Sequence, residues 1–307
     1  MQTDANEPAQ ASETNWTCVT CGQNAVGNFC ANCGEKRRGD HDFSLAHVLA
    51  EAAEAFLHID SKVFLTLKTL MVKPGKLTEE FFLGRRKPYM SPLQTFFVCN
   101  LLFFLIQPLT GLEILAPPLR IFDDPNSWTR HLIDQRLEHK HLSRANQQEF
   151  VDYSHNFDHN SRLQAKSLIL VMALMLAVVI SILYFQRRRY FSEHIIFSLH
   201  AYAWWLLWVL TILVATSLIL IIVVSILYIF ARAKLFGLRG SNLHLLDVIE
   251  TSLEFGGLGL YLFFAARKFY QDKLIPGLAK GVILTLCSSG LFYLYRYLLF
   301  FTVLYTT

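Results

Sequence analysis

Residues 195–230 read IIFSLHAYAWWLLWVLTILVATSLILIIVVSILYIF. A membrane span needs roughly 20 apolar residues in succession, and this stretch is longer. From Glu193 to Phe230 there is no Gly, Pro, Asn or Asp, so nothing punctuates a turn. The stretch reads as one long helix, spanning over 202–230, with its first turns projecting below the membrane. Tyr202, Trp204, Trp205 and Trp208 are expected to form an interfacial aromatic belt where it enters. Four further segments read as spans: 92–109, 167–185, 249–266 and 278–299. They end at turn or basic residues, such as Pro117-Pro118, Gln186 to Arg189 and Arg267-Lys268.

Composition agrees with that reading. Of 307 residues, 53% are hydrophobic and only 17% are charged, whereas soluble chains carry about a quarter charged residues. This argues against a purely soluble enzyme and against a disordered chain. A net charge of +4 is too small to point to nucleic acid. Residues 1–15 are polar, with no apolar signal-peptide core, and read as a disordered cytosolic lead. Positive-inside counting puts Arg187 to Arg189 and Arg267, Lys268, Lys273 and Lys280 in the cytosol. Arg232, Lys234 and Arg239 then fall outside, against the rule. The expectation is an all-α polytopic membrane protein of about five spans over 92–304, N-terminus inside and C-terminus outside. An outer loop, 117–166, carries His131, His139, His141, His155 and His159, which make no complete metal site. Trp128 to Leu142 is its one helical stretch.

Cys18, Cys21, Cys30 and Cys33 are spaced C-x2-C-x8-C-x2-C. Each pair can form a tight knuckle, and Gly22 and Gly34 follow the second cysteine of each, where positive φ turns amide groups toward the sulfurs. Two facing knuckles make a four-thiolate site over 16–38, a zinc-ribbon-like module that suits Zn²⁺. With every position filled by cysteine, the site is structural. Two disulfides are disfavoured in a reducing compartment; a four-sulfur iron centre is the other alternative. The spacer, Gly22 to Phe29, is expected to form a hairpin turning at Gly27-Asn28. Cys99 and Cys287 read as small hydrophobes.

Residues 43–90 read as basic amphipathic juxtamembrane helices. Ser44 caps a first helix whose apolar face is Leu45, Val48, Leu49, Ala52, Ala53, Phe56 and Leu57. A second begins near Asp60-Ser61 and stops at Pro74-Gly75. Thr78 is expected to cap a short third turn, Glu79 to Leu83. Lys73, Lys76, Arg85, Arg86 and Lys87 supply the charge. Two readings stand: an interfacial platform that binds anionic lipid, or a packing unit whose charges only set topology.

Ionisable residues at membrane depth are candidate functional groups. Asp247, Glu250 and Glu254 recur at i, i+3, i+7 and form an acidic stripe. Gly256, Gly257 and Gly259 follow, and Arg296 lies in the last span, where a pair with a carboxylate is geometrically open. Glu193, His194 and His200 precede the tryptophan cluster as a candidate interfacial site. His194 and His200, six apart, do not share a helix face. No P-loop, nucleophile elbow or HExxH is present, so no catalytic residue is assigned.

Several stretches resemble a bacterial membrane-protein family of unknown function, DUF3667. They are FCANCGEKR, DSKVFLTLKTLMVKPGK, FFLGRRKPYMSPLQTFF, RRRYFSEHIIFSLHAYAWW and RKFYQDKLIPG. The positions carried over are Cys18, Cys21, Cys30, Cys33, Pro74, Gly75, Gly84, Arg85, Arg86, Tyr89, Pro92, Glu193, His194 and His200. The resemblance implies a zinc-ribbon-like module on a helical domain in the bacterial inner membrane, and no known reaction. The leading expectation is a non-enzymatic membrane protein whose cytosolic zinc module and basic platform dock a protein partner or anionic lipid. The alternative is a transporter or channel-like protein using Asp247, Glu250, Glu254 and Arg296.

Overall fold

The computed structural model describes residues 15–37, 62–110, 114–187, 189–231 and 243–307, excepting the side chains of 220, 224–231 and 243–251. The lead over 1–14, the helix expected from Ser44, and Arg188, Arg232, Lys234 and Arg239 lie outside the described residues. Two short strands come first, β1 (Trp16–Thr17) and β2 (Asn24–Ala25), paired antiparallel with Trp16 opposite Ala25. All other named elements are helices: α1 (Lys62–Val72), α2 (Lys76–Phe82), α3 (Pro92–Thr110), α4 (Leu119–Phe122), α5 (Trp128–His139), α6 (Gln147–Leu183), α7 (Phe191–Ala231), α8 (Leu243–Tyr270) and α9 (Leu274–Thr306), with one 3-10 turn, Phe185–Arg187, after α6.

α7 is the unbroken helix that its punctuation-free sequence requires. Its 41 residues extend about 60 Å at 1.5 Å each, about twice the hydrocarbon thickness of a bilayer. It is the hub of the bundle, packed against α3, α6 and α8, while α9 closes the ring against α6 and α8. The first turns of α7 are enclosed by the neighbouring helices, and this explains one departure from expectation. Tyr202, Trp204 and Trp205 do not form a belt; they are buried in the core. Trp204 stacks on Tyr261 and Trp208, and Trp205 packs against Phe255 and Phe292.

α3, α6, the 191–223 part of α7, and α9 are long and apolar enough to cross a membrane. The remaining expected span, 249–266, lies within α8, the first part of which falls outside the residues whose side chains are described. Large apolar side chains repeat on the outside: Leu101, Leu105 and Leu109 on α3, and Leu174, Val178 and Ile182 on α6. Ile169, Met172, Leu176 and Ile180 face inward on the same α6. Apolar stripes on both faces of a helix suit lipid outside and protein inside.

The segment expected as an outer loop is largely helical. α5 is capped by Ser127, whose hydroxyl accepts from Thr129 N, and α6 starts at Gln147, well before the span within it. Arg144 joins Asp123 and Asp134 at 2.7 Å each, and those two carboxylates raise its pKa. Arg136 and Lys140 donate to the carbonyls of Tyr305 and Thr307, so this layer closes on the end of α9.

Candidate functional site: a four-cysteine centre docked on the bundle

The two knuckles repeat one hydrogen-bond pattern. Gly22 N donates to Cys18 O and Cys18 N to Gln23 O; Gly34 N donates to Cys30 O and Cys30 N to Glu35 O, all at 2.8 Å. Both glycines have φ near +70°, at 75° and 70°, a conformation that costs a side-chain-bearing residue about 1 kcal/mol or more. The strand pairing brackets the knuckles: β1 and β2 flank the first, and a Phe29–Lys36 bridge flanks the second. The hairpin expected within Gly22 to Phe29 is therefore displaced, because the knuckle itself is the tighter turn.

The four sulfurs lie within 4.8 Å of one another, with Cys18 to Cys33 at 3.5 Å and Cys21 to Cys30 at 3.6 Å. Tetrahedral thiolates around an ion at about 2.3 Å stand about 3.8 Å apart, so the cluster fits a metal ion. Among the described residues no other group of three His, Cys, Asp or Glu side chains is this close. The Gln23 N–H and the Asn32 side chain hold the Cys21 thiol down to about 6. The Glu35 N–H lowers Cys33 too, but desolvation and three neighbouring sulfurs outweigh it and push that thiol up to about 12. Four thiolates cannot share this space without a cation to offset their charge. The module's own apolar cluster is Cys18, Ala25 and Cys30 with Trp16 against them, too little to fold it alone.

The centre is docked on the bundle through the loop before α3. Glu35 is buried, 3% exposed. Its Oε2 accepts from Thr20 Oγ1 at 2.6 Å and Lys87 N at 3.0 Å, and its Oε1 from Arg86 N at 3.4 Å. Arg85 Nε donates to Val19 O at 2.9 Å and its Nη1 pairs with Glu80 at 3.4 Å. The Lys87 ammonium lies against Gly34. Arg86 stacks over Phe81 and, with Arg85, Tyr89 and His200, lines a small cleft. Lys73 is exposed and Lys76 half-buried.

Glu193, His194 and His200 are buried, but each has a separate partner. Glu193 pairs with Arg189 at 2.8 Å, His194 Nδ1 bonds Tyr270 OH at 2.7 Å, and His200 Nδ1 bonds Thr78 Oγ1 at 2.9 Å. Thr78 is thus a bundle contact, and the cap position of α2 is taken by Gly75. Beside them lies a group that sequence reasoning missed. Asp272 accepts from Tyr184 OH at 2.7 Å, Arg187 at 2.9 Å and Lys280 at 3.3 Å, and Tyr184 stacks on Tyr270. Its signal was available: Asp272 is the one acid between Arg267 and Lys280.

The side chains of Asp247 and Glu250 lie outside the described residues, and Glu254 is buried. The Arg296 guanidinium sits 5.9 Å from the Phe292 ring centroid; among the described residues no carboxylate pairs with it. The histidines of the outer segment form no metal cluster there either; His131 bonds Gln135 one turn on.

A family model described as "Protein of unknown function (DUF3667)" matches residues 60–104. That segment contains α1, α2, the docking loop and most of α3. No curated protein and no solved structure matches the chain. Over residues 60–104 the chain is thus similar to the DUF3667 family.

Proposed function

We propose that the chain is a non-enzymatic integral protein of the bacterial inner membrane, with a cytosolic zinc module and a basic foot that holds anionic lipid. One observation carries this reading. The four-thiol cluster, Arg85, Lys87, Arg187, Arg189 and Lys268 all gather at the same end of the bundle. That is the end which positive-inside counting assigns to the cytosol. The donor set favours zinc: four soft thiolates in a closed tetrahedral shell. Zinc there cross-links the two knuckles. Cys18, Cys21, Cys30 and Cys33 would hold it, Gln23 and Glu35 would orient sulfurs through their N–H groups, and Glu35 would fix the module to the foot. Arg85 and Arg86 already have protein contacts, so the exposed Lys73 and Lys87 are the groups best placed to meet lipid headgroups.

The test is purification of the full-length protein from native membranes, followed by lipid and protein analysis of what accompanies it. Anionic phospholipid should be enriched over the bulk membrane, and Lys73→Gln with Lys87→Gln should reduce the enrichment by about fivefold per charge removed. Enrichment unchanged by the substitutions contradicts the lipid reading. A stoichiometric protein in place of the lipid replaces it with partner docking.

A further inference from the structure

Glu35 occupies an unusual junction. Its backbone belongs to the cysteine centre: its N–H reaches the Cys33 sulfur and its carbonyl accepts from Cys30 N. Its side chain belongs to the bundle: both carboxylate oxygens accept backbone N–H groups from the loop that leads into α3. Thr20, from the first knuckle, donates to the same carboxylate at 2.6 Å. One residue therefore touches both knuckles and the foot of the first span.

We propose that Glu35 is a latch that couples metal occupancy of the four-cysteine centre to the loop over Arg85 to Lys87. The proposal rests on the zinc reading above. With the ion bound, the second knuckle is fixed and aims the Glu35 carboxylate at Arg86 N and Lys87 N. A buried carboxylate is costly to leave unmet, and these N–H groups together with Thr20 satisfy it. With the ion removed, the module has only the small apolar cluster around Cys18, Ala25 and Cys30 to hold its shape, and Val19 and Thr20 on one knuckle and Glu35 on the other separate. The carboxylate then returns to water, the Arg86 and Lys87 amides lose their acceptor, and Arg85 loses Val19 O. The basic loop is released at the base of α3, beside the cleft that contains His200. Metal loading or loss at the module is thereby felt where the chain enters the bundle. Glu35 is a positioning residue in this scheme and takes no part in any reaction.

Hydrogen exchange at the Arg86 and Lys87 amides reads the latch directly, using full-length protein in lipid nanodiscs with zinc content and helix content measured in parallel. In the zinc-loaded wild type both amides should be protected. Chelation should accelerate their exchange by about tenfold or more. Glu35→Ala should produce the same acceleration with zinc retained, and Glu35→Gln, which keeps one acceptor oxygen, an intermediate one. If Glu35→Ala loses its zinc, Glu35→Gln carries the comparison. Protection that survives both chelation and substitution overturns the latch. Protein isolated without zinc contradicts the metal reading instead, and the Glu35 variants then still report on the hydrogen bonds themselves.

Discussion

Asp272 shows how a single side chain can hold three helices together. Its side chain is 2% exposed, and it receives Tyr184 and Arg187 from the end of α6 and Lys280 from α9. Removing one partner of a buried ion pair costs about 3–5 kcal/mol. Because Arg187 is 46% exposed, water can compensate it, so Asp272→Ala should cost about 3 kcal/mol. Thermal unfolding in mild detergent measures this; a loss under about 0.5 kcal/mol, the scale of a surface pair, would contradict it. The contrast with the cysteines is one of distance along the chain. Cys18 to Cys33 are legible because their spacing is local and their chemistry leaves few options. Asp272 stands out only as an acid among bases, and its partner Arg187 lies 85 positions away, a pairing no local pattern encodes. Glu35 was hidden for the same reason, since its partners are the amides of Arg86 and Lys87.

At the scale of elements, hydropathy located α3, α6, α7 and α9, because apolar length is a direct physical requirement of a span. It did not locate what α7 faces. Tyr and Trp suit both a headgroup boundary and a packed core with a polar edge, and only the neighbouring helices decide between them. The Pro74-Gly75 turn is a similar case. It was legible as a helix stop, but its tight approach to α8 was not. Gly75 has φ +74°, and a methyl group there would lie 2.9 Å from the Cα and O of Ala265. Backbone cannot move aside as a flexible side chain can. Gly75→Ala should therefore cost about 2–4 kcal/mol, combining left-handed strain with overpacking. A fall in melting temperature with zinc content unchanged would check it; an unchanged melting temperature would mean that α2 is not held against α8.

For the whole molecule, the alternation of the long helices is what brings the parts to one end. α3 leaves from the docking loop, α6 returns to Tyr184, α7 leaves from Phe191, α8 returns to Tyr270 and α9 leaves from Leu274. Contacts tie these ends together: Tyr184 with Tyr270, His194 with Tyr270, Thr78 with His200, and Lys268 with Glu79. The stretches GRRKPY, RYFSEH and RKFYQDK, far apart in sequence, thus become neighbours beneath the cysteine module. The charge pattern groups these stretches together, because positive-inside counting works on whole loops. It could not foretell that they share contacts.

The central claim is that a metal-folded module is built onto the foot of a membrane bundle, and elemental analysis of the purified full-length protein tests it most directly. The claim predicts about one zinc per chain, lost in the Cys18→Ser, Cys30→Ser double variant while the helix content of the bundle is retained. A protein free of zinc, or a double variant that keeps it, would contradict the claim.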